Sequence, residues 1–102
     1  MIHVVARITA TPGNRDALVA AFKALLPEVH AEEGCIAYVP TVDATTDIDR
    51  QEAVDAEVVT IVEKWASLKH LKAHLAAQHM LAFRERAGEL IAGAELRILE
   101  EQ

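Results

Sequence analysis

Apolar and polar residues alternate along four stretches of the chain and recur at helical spacing along two others. The alternating stretches, which are predicted to be strands, are residues 2–9, 35–42, 54–65 and 94–99. In the first of them, one face carries Ile2, Val4, Ala6 and Ile8. Helical spacing begins near Arg15 and again after Ser67. The pattern therefore predicts the element order βαββαβ.

The first helix is predicted to bury a stripe of residues that repeats every three or four positions. The members of this stripe are Leu18, Phe22, Leu25 and Val29. Pro27 lies within it and cannot donate a backbone hydrogen bond, so a kink or a break is expected near Leu26. Gly34 suits the left-handed position that closes a helix, and the second strand follows it.

The second strand is predicted from its alternation to carry Ile36 and Tyr38 on one face and Cys35 on the other, as a small buried residue. Pro40 cannot donate to a sheet ladder, which favours an edge strand or a bulge. The connection at 43–55 is acidic and without apolar period. It is either a lid or partner-contact loop or a simple solvated loop.

The third strand and the helix after it form the stretch in which chemistry is expected. The strand is apolar on both faces, so both faces are predicted to be covered. Ser67 occupies the position of a helix N-cap. The buried stripe of this helix is predicted to be Leu68, Leu71 and Leu75. At about 100° per residue, His74 lies on the flank of the stripe, His70 points away, and His79 returns to the stripe if the helix continues. The helical spacing either continues or restarts at residues 80–90.

The element order predicts an α+β fold of the ferredoxin-like kind, in which a four-stranded antiparallel sheet carries both helices on one face. All 102 residues are assigned to one domain. Apolar residues on the second faces of the strands, such as Val5 and Leu99, would leave a large patch in water. A homodimer in which two sheets meet is therefore expected.

Composition narrows the classes of function. A formal net charge of −6 disfavours a nucleic-acid or anionic-membrane surface, since both need clustered Lys and Arg. There is no secretory signal and no apolar run of about 20 residues, and the single Cys35 cannot form an internal disulfide, so a cytoplasmic protein is expected.

Several kinds of site lack their usual motifs. The five His and one Cys show no metal-binding spacing such as H-E-x-x-H, so no metal is expected. No glycine-rich phosphate loop is present, which disfavours nucleotide and flavin cofactors. Ser67 has no G-x-S-x-G context and is interpreted as a cap, not a nucleophile. The prediction is an absence of cofactors.

Two groups of residues resemble a known family. They are the run E-G-C-x-x-Y from Glu33 to Tyr38, and Glu63-Lys64-Trp65 followed by Ser67, Leu71, His74 and His79. On these residues the chain resembles the antibiotic biosynthesis monooxygenase family, small dimeric α/β barrel proteins that include cofactor-independent quinol oxygenases. The resemblance implies a substrate pocket between the sheet and the helices of each protomer.

Carried over residue by residue, the resemblance assigns His74 and His79 as catalytic and Trp65, Tyr38 and Glu63 as substrate-binding. Two departures from the family are visible. Haem-degrading relatives carry Asn where this chain has Ala6, so haem binding is not expected. The loop at 43–55 is also longer and more acidic than is usual for the family.

Each of the key side chains also has a structural interpretation. An imidazole with a pKa near 6.5 suits general-base chemistry, yet His74 or His79 would serve equally as a helix residue bonded to a backbone carbonyl. Trp65 would serve as core, as pocket wall, or as both.

The predicted function is a cofactor-independent monooxygenase that oxidises a small quinol or phenol with O2. One histidine is its base and Trp65 walls the pocket. The alternatives are an isomerase or degradation enzyme for a small oxygenated signalling metabolite, and a non-catalytic small-ligand-binding dimer.

Overall fold

The computed structural model describes residues 1–102 and contains one antiparallel sheet with helices on one of its faces. The elements are β1 (Ile2–Ala10), α1 (Arg15–His30), β2 (Cys35–Thr41), β3 (Val58–Trp65), α2 (Leu68–Ala76), α3 (Gln78–Ala87), a short 3-10 turn (Gly88–Leu90) and β4 (Ile91–Glu100). The strands pair in the order β2-β3-β1-β4. The predicted α+β ferredoxin-like fold is confirmed.

The helices cover the inner face of the sheet, and the core lies between them. The predicted apolar face of β1 is buried throughout, and so is the predicted stripe of α1. None of the helices combines the length and the apolar character needed to cross a bilayer.

Of the kink or break predicted near Leu26, the break does not occur, because α1 runs unbroken to His30. Leu25 and Val29, on either side of Pro27, are fully buried and hold this turn against the sheet. The ring of Pro27 is on the exposed side, so the helix loses only the hydrogen bond that proline cannot donate.

Strand β2 departs from its predicted alternation near its start. Tyr38 pairs with Glu63 and Ala37 with Lys64, but Cys35 pairs with Trp65, so Ile36 is an extra residue in a bulge. The bulge turns Cys35 towards the inner face, where it is half-buried, and leaves Ile36 exposed. The prediction that Ile36 shares the buried face of Tyr38 is therefore wrong. Strand β2 is an edge strand, as Pro40 predicts.

The second helical segment is two helices, because the chain is extended at Ala77 (φ −65°, ψ 144°). This break redirects α3, which carries His79. Within α2, before the break, Leu71 is buried and Leu75 half-buried, but Leu68, the first residue of the helix, is exposed. His74, one turn after Leu71, is buried instead of flanking the stripe. The cap at Ser67 is confirmed, since its hydroxyl accepts the backbone N–H of His70.

Two strand boundaries also differ from the prediction. Strand β3 begins only at Val58 instead of residue 54, and β4 begins at Ile91 instead of residue 94. The outer face of β3 is covered within the chain only at its start, where Val58 is buried, whereas 42% of Val62 is exposed. The prediction that both faces of β3 are covered therefore holds for its inner face and, on the outer face, only at Val58.

Gly34 has the predicted left-handed conformation, with φ at 79°. It also lies directly against the imidazole of His70, where a β-carbon would collide with the ring. The carbonyl of Gly34 accepts the backbone N–H of Ala66 at 2.8 Å. The turn before β2 is thus packed tightly against the start of α2.

Candidate active site

A cavity of about 410 Å³ lies between the inner face of the sheet and the helices. We call it the central cavity. Its walls are mainly apolar and include Ala6, Phe22, Ile61, Leu75, Phe83 and Leu96. The side chains in the wall that carry ionisable groups are Tyr38, Glu63 and Arg84. The volume and the few polar groups are those of a site for a small organic molecule.

Glu63 is the one carboxyl group in the wall of the central cavity, and only 5% of the residue is exposed. Its Oε1 accepts a hydrogen bond from Trp65 Nε1 at 2.9 Å. Burial raises the pKa of Glu63 to about 7, the charge of Glu32 acts in the same direction, and the Trp65 hydrogen bond opposes them. Both protonation states of Glu63 are therefore accessible near neutral pH.

Tyr38 faces the cavity beside Glu63, its partner across the β2–β3 ladder. Burial, followed by the charges of Glu63 and Glu32, raises the pKa of the Tyr38 phenol well above its usual range. The phenol therefore stays neutral at physiological pH and can donate a hydrogen bond to a ligand oxygen.

Trp65 does not line the cavity as predicted from the sequence. Its indole is fully buried behind Glu63, because β3 ends there beneath α2 and the ring is needed to fill the core. On its other side the indole contacts His74, with ring centroids 4.6 Å apart. Trp65 thus connects a wall residue with a histidine that lies deeper in the protein.

Behind this wall, two histidines share one carboxylate. Glu32 Oε2 lies 2.8 Å from His74 Nδ1 and 2.8 Å from His79 Nε2. We call these three residues the histidine cluster. In an unbroken helix, side chains five positions apart would diverge by about 140°. The break at Ala77 redirects α3, so that both rings reach the same oxygen atom.

The histidine cluster is fixed in one hydrogen-bonding state. Ionised Glu32 only accepts hydrogen bonds, so neutral His74 carries its proton on Nδ1 and keeps a lone pair on Nε2. Burial lowers the pKa of His74, although the hydrogen bond to Glu32 opposes the shift. His74 is therefore neutral at physiological pH. Its ring also packs on Tyr38, with centroids 5.5 Å apart.

The structure thus brings all five predicted site residues together, but in two layers. Tyr38 and Glu63 are in the wall, whereas Trp65, His74 and His79 are behind it. Glu32 and Arg84 were not predicted. Arg84 Nη2 donates to the carbonyl of Leu75 at 2.8 Å, which holds a positive charge at the cavity. In the sequence, Glu32 could have been noticed as an acid two residues before Gly34, and Arg84 as a cation next to Phe83.

The acidic loop at 43–55 contributes no residue to the central cavity. It is tied down locally, since Asp43 Oδ2 accepts the backbone N–H of Asp55 at 2.8 Å and Arg7 pairs with Asp55 at 3.9 Å. No three His, Cys, Asp or Glu side chains are arranged to hold a metal ion. On β1, Ala6 presents only a methyl group to the cavity.

Comparison with known proteins identifies the family from the sequence. Residues 1–86 match the model of the family described as antibiotic biosynthesis monooxygenase. The chain is 35% identical over 102 residues to "Probable quinol monooxygenase YgiN" of Escherichia coli, a match that covers 98% of this chain and 97% of YgiN.

Solved structures from two further bacteria share the fold. The protein PA3566 of Pseudomonas aeruginosa superimposes with a TM-score of 0.81 and 26% identity, over 99% of this chain and 93% of that one. The protein SO0527 of Shewanella oneidensis gives a TM-score of 0.79 and 28% identity, over 98% of this chain and 89% of that one.

Proposed function

The chain belongs to the antibiotic biosynthesis monooxygenase family, and on that premise we propose that it is a cofactor-independent monooxygenase acting on a small quinol or related phenol. The observation that carries the proposal is an apolar cavity of about 410 Å³ whose few ionisable wall groups suit a phenolic ligand. Glu63 accepts and Tyr38 donates, so a hydroxylated ring is complementary to the wall.

The reaction is balanced by O2 alone. A quinol and O2 give a hydroxyquinone and water: one oxygen atom enters the ring as a hydroxyl group, and the other leaves as water with two hydrogens from the quinol. The reaction starts when a phenolic proton is lost, because the phenolate transfers an electron to O2 more readily than the phenol does. The protein holds the ring, excludes water and accepts protons.

We propose that the histidine cluster takes part as a proton acceptor. His74 is the better placed of the two histidines, because it is neutral, has a free Nε2 lone pair and packs on Tyr38. His79 has its Nε2 occupied by Glu32 and is partly exposed. Neither ring lines the cavity, so a proton reaches the cluster only through a group of the wall or a bound water.

The test is oxygen uptake by the purified protein with a panel of quinols and phenols, in the presence of a chelator. Ala94→Trp would fill the cavity from β4 and should lower kcat/KM by about 10²-fold, the scale of substrate misplacement. Ala82→Trp, on the exposed side of α3, is the matched control. Conversion of a substrate without oxygen uptake would replace the proposal by an isomerase or degradation activity, and binding without conversion by a ligand-binding role.

We further propose that the protein is a cytoplasmic homodimer joined through the outer face of the sheet. Val62 pairs with Val5 and with Val39, so these residues form one apolar row across three strands. Val39 is 50% exposed and Leu99 46%, which leaves this face open in the isolated chain. The unpaired thiol of Cys35 suits a reducing compartment.

Light scattering tests the dimer. The wild type should give about twice the 11.1 kDa of one chain. Val62→Lys should give the monomer, because it buries a charge in the interface, whereas Leu81→Lys on exposed α3 should leave the dimer intact. A single 11.1 kDa species of wild type at micromolar concentration would refute it.

A further inference from the structure

We propose that Glu63 is the catalytic base of this protein, and that its Oε2 atom takes the phenolic proton directly from the substrate. This inference rests on the proposed monooxygenase function and deepens it. It moves the first proton transfer from the histidines to the wall of the central cavity.

Position is the first reason. Glu63 is the one carboxyl group among the residues that line the cavity, at the middle of the inner face on β3. Direct proton transfer requires hydrogen-bond contact or one bridging water. The rings of His74 and His79 do not line the cavity and are held by Glu32, so Glu63 is closer to any ligand than either histidine.

Hydrogen bonding is the second reason. Trp65 holds Oε1 at 2.9 Å and thereby fixes the orientation of the carboxyl group. Oε2 has no hydrogen-bond partner within the chain, and it is not sealed off from the cavity. Buried polar oxygens are normally paired, so an unpaired carboxyl oxygen in an apolar wall is available to a ligand.

The charged and titratable neighbours come from every element packed around Glu63. They are Glu32 from the turn after α1, Cys35 and Tyr38 from β2, His74 from α2 and Arg84 from α3. Glu32 and burial disfavour the ionised form of Glu63, so the carboxylate is a stronger base than one in water. Arg84 supplies the positive charge that the phenolate needs after its proton has moved.

Glu63 returns to its starting protonation state at the end of the reaction. The phenolic O–H bond breaks, the Oε2–H bond of Glu63 forms, and the electron pair stays on the phenolate oxygen. The phenolate transfers an electron to O2, and the resulting radical pair forms a C–O bond at a ring carbon, which gives a peroxide anion. The O–O bond then breaks while that carbon loses its hydrogen and becomes a carbonyl, so the outer oxygen departs with this hydrogen as hydroxide. The hydroxide takes the proton from Glu63 and leaves as water, which regenerates the carboxylate, and the ring product tautomerises to the hydroxyquinone.

Oxygen uptake by Glu63→Gln tests the inference. The amide can still accept the Trp65 hydrogen bond but cannot take a proton, so kcat should fall by about 10² to 10⁴-fold with little change in KM. Glu85→Gln on the exposed side of α3 is the matched control and should retain activity. Glu63→Asp keeps the carboxylate and should recover part of the lost rate.

Two readouts separate a base from a merely structural residue. The wild-type rate should rise with pH to a plateau above about 7, whereas the Glu63→Gln rate should keep rising until the substrate itself ionises. Across a series of increasingly acidic phenols, the ratio of wild-type to variant rate should shrink, because an ionised substrate needs no base.

The outcomes distinguish the two proposals. If the wild type consumes no oxygen with any member of the panel, the proposed function fails, and this inference fails with it. If the wild type is active but Glu63→Gln stays within about threefold of it, far below the general-base range, only the inference is overturned. A rate ratio that does not change across the phenol series would overturn it as well.

Discussion

Glu63 and His74 lie on opposite sides of the Trp65 indole, and burial acts on them in opposite directions. Glu63 accepts a hydrogen bond from the Trp65 N–H on one side, and His74 packs against the same ring on the other. Burial raises the pKa of the carboxyl and lowers that of the imidazole, because it disfavours the charged form of each. His74 is thereby kept neutral, whereas Glu63 has both protonation states accessible near neutral pH.

The two sites differ in how fully they are hydrogen-bonded. Glu63 has one oxygen free towards the central cavity, whereas His74 and His79 are both bonded to Glu32 and the free Nε2 of His74 does not line that cavity. A group with an unused hydrogen-bonding position next to open space can exchange a proton with a ligand. A closed group mainly holds geometry and charge.

Removal of Glu32 should have the largest effect on stability, because both histidines of the cluster lose their hydrogen-bond partner. Glu32→Ala leaves buried His74 and partly buried His79 without their partner, at a cost of about 2–4 kcal/mol in the free energy of unfolding. Glu33→Ala is the matched control, since the neighbouring side chain is 94% exposed against 12% for Glu32. Urea unfolding measures both, and equal stabilities would contradict the assigned role of Glu32.

Truncation of the histidines should separate their roles. His74→Ala should lower kcat by about 10²-fold, the scale of a misplaced reacting group, because its ring packs on Tyr38 and Trp65 and positions the wall from behind. His79→Ala should cost much less, since its Nε2 is held by Glu32 and its side chain is partly exposed. If both single variants and the double variant retain turnover within about threefold, the histidines are structural.

The pH dependence of stability should show that the pKa of Glu63 is raised and that of His74 lowered. The folded-state pKa of Glu63, about 7, lies above its ordinary 4.5, so its stabilisation is complete below pH 4.5 and is lost as pH rises through 7. The lowered pKa of His74 gives a contribution that is present above pH 6.5 and lost as pH falls below it.

Chemical denaturation between pH 4.5 and 8 checks both signs. Glu63→Gln should gain stability relative to wild type as pH rises, by about 3 kcal/mol at most, at ~1.4 kcal/mol per pKa unit. His74→Gln should gain relative to wild type as pH falls below 6.5. A constant difference between the wild type and Glu63→Gln across this range would show that Glu63 does not titrate abnormally.

Trp65→Phe should have the smallest effect on the reaction rate, although it removes the hydrogen bond that links Glu63 to the indole. It removes the N–H that lowers the pKa of Glu63, so the midpoint of the pH–rate profile should move upward by less than one unit, the equivalent of a hydrogen bond worth about 1 kcal/mol. Leu25→Ala, a buried change away from the cavity wall, should lower stability and leave the midpoint in place. A downward shift in Trp65→Phe would contradict the hydrogen-bond assignment.

The sequence was sufficient for elements whose side-chain pattern is set by burial on one face. Strand β1 and helix α1 belong to this group, and even Pro27 does not interrupt α1 because buried neighbours hold the turn. The pattern failed where the backbone changes phase without a marker residue. The bulge at Ile36 and the break at Ala77 each have neither Gly nor Pro at the point of change.

For the candidate site, the resemblance supplied residue types but not their depth. It gave Tyr38, Glu63, Trp65 and the two histidines, but not that a wall separates the first two from the rest. Glu32 escaped prediction because its partners are 42 and 47 positions away, and only the assembled fold brings them into contact. Periodicity describes one element at a time and carries no information on such distances.

The contact between Gly34 and His70 controls the distance between Glu32 and His74. Gly34 is two residues after Glu32, and His70 lies one helical turn before His74. The contact therefore sets how closely the turn that carries Glu32 approaches helix α2, which carries His74. A methyl group at position 34 would push the turn and α2 apart, and hydrogen bonds of 2.8 Å tolerate only a few tenths of an ångström. The basicity of the site can thus be adjusted from a loop that meets no substrate, with every reacting side chain left unchanged.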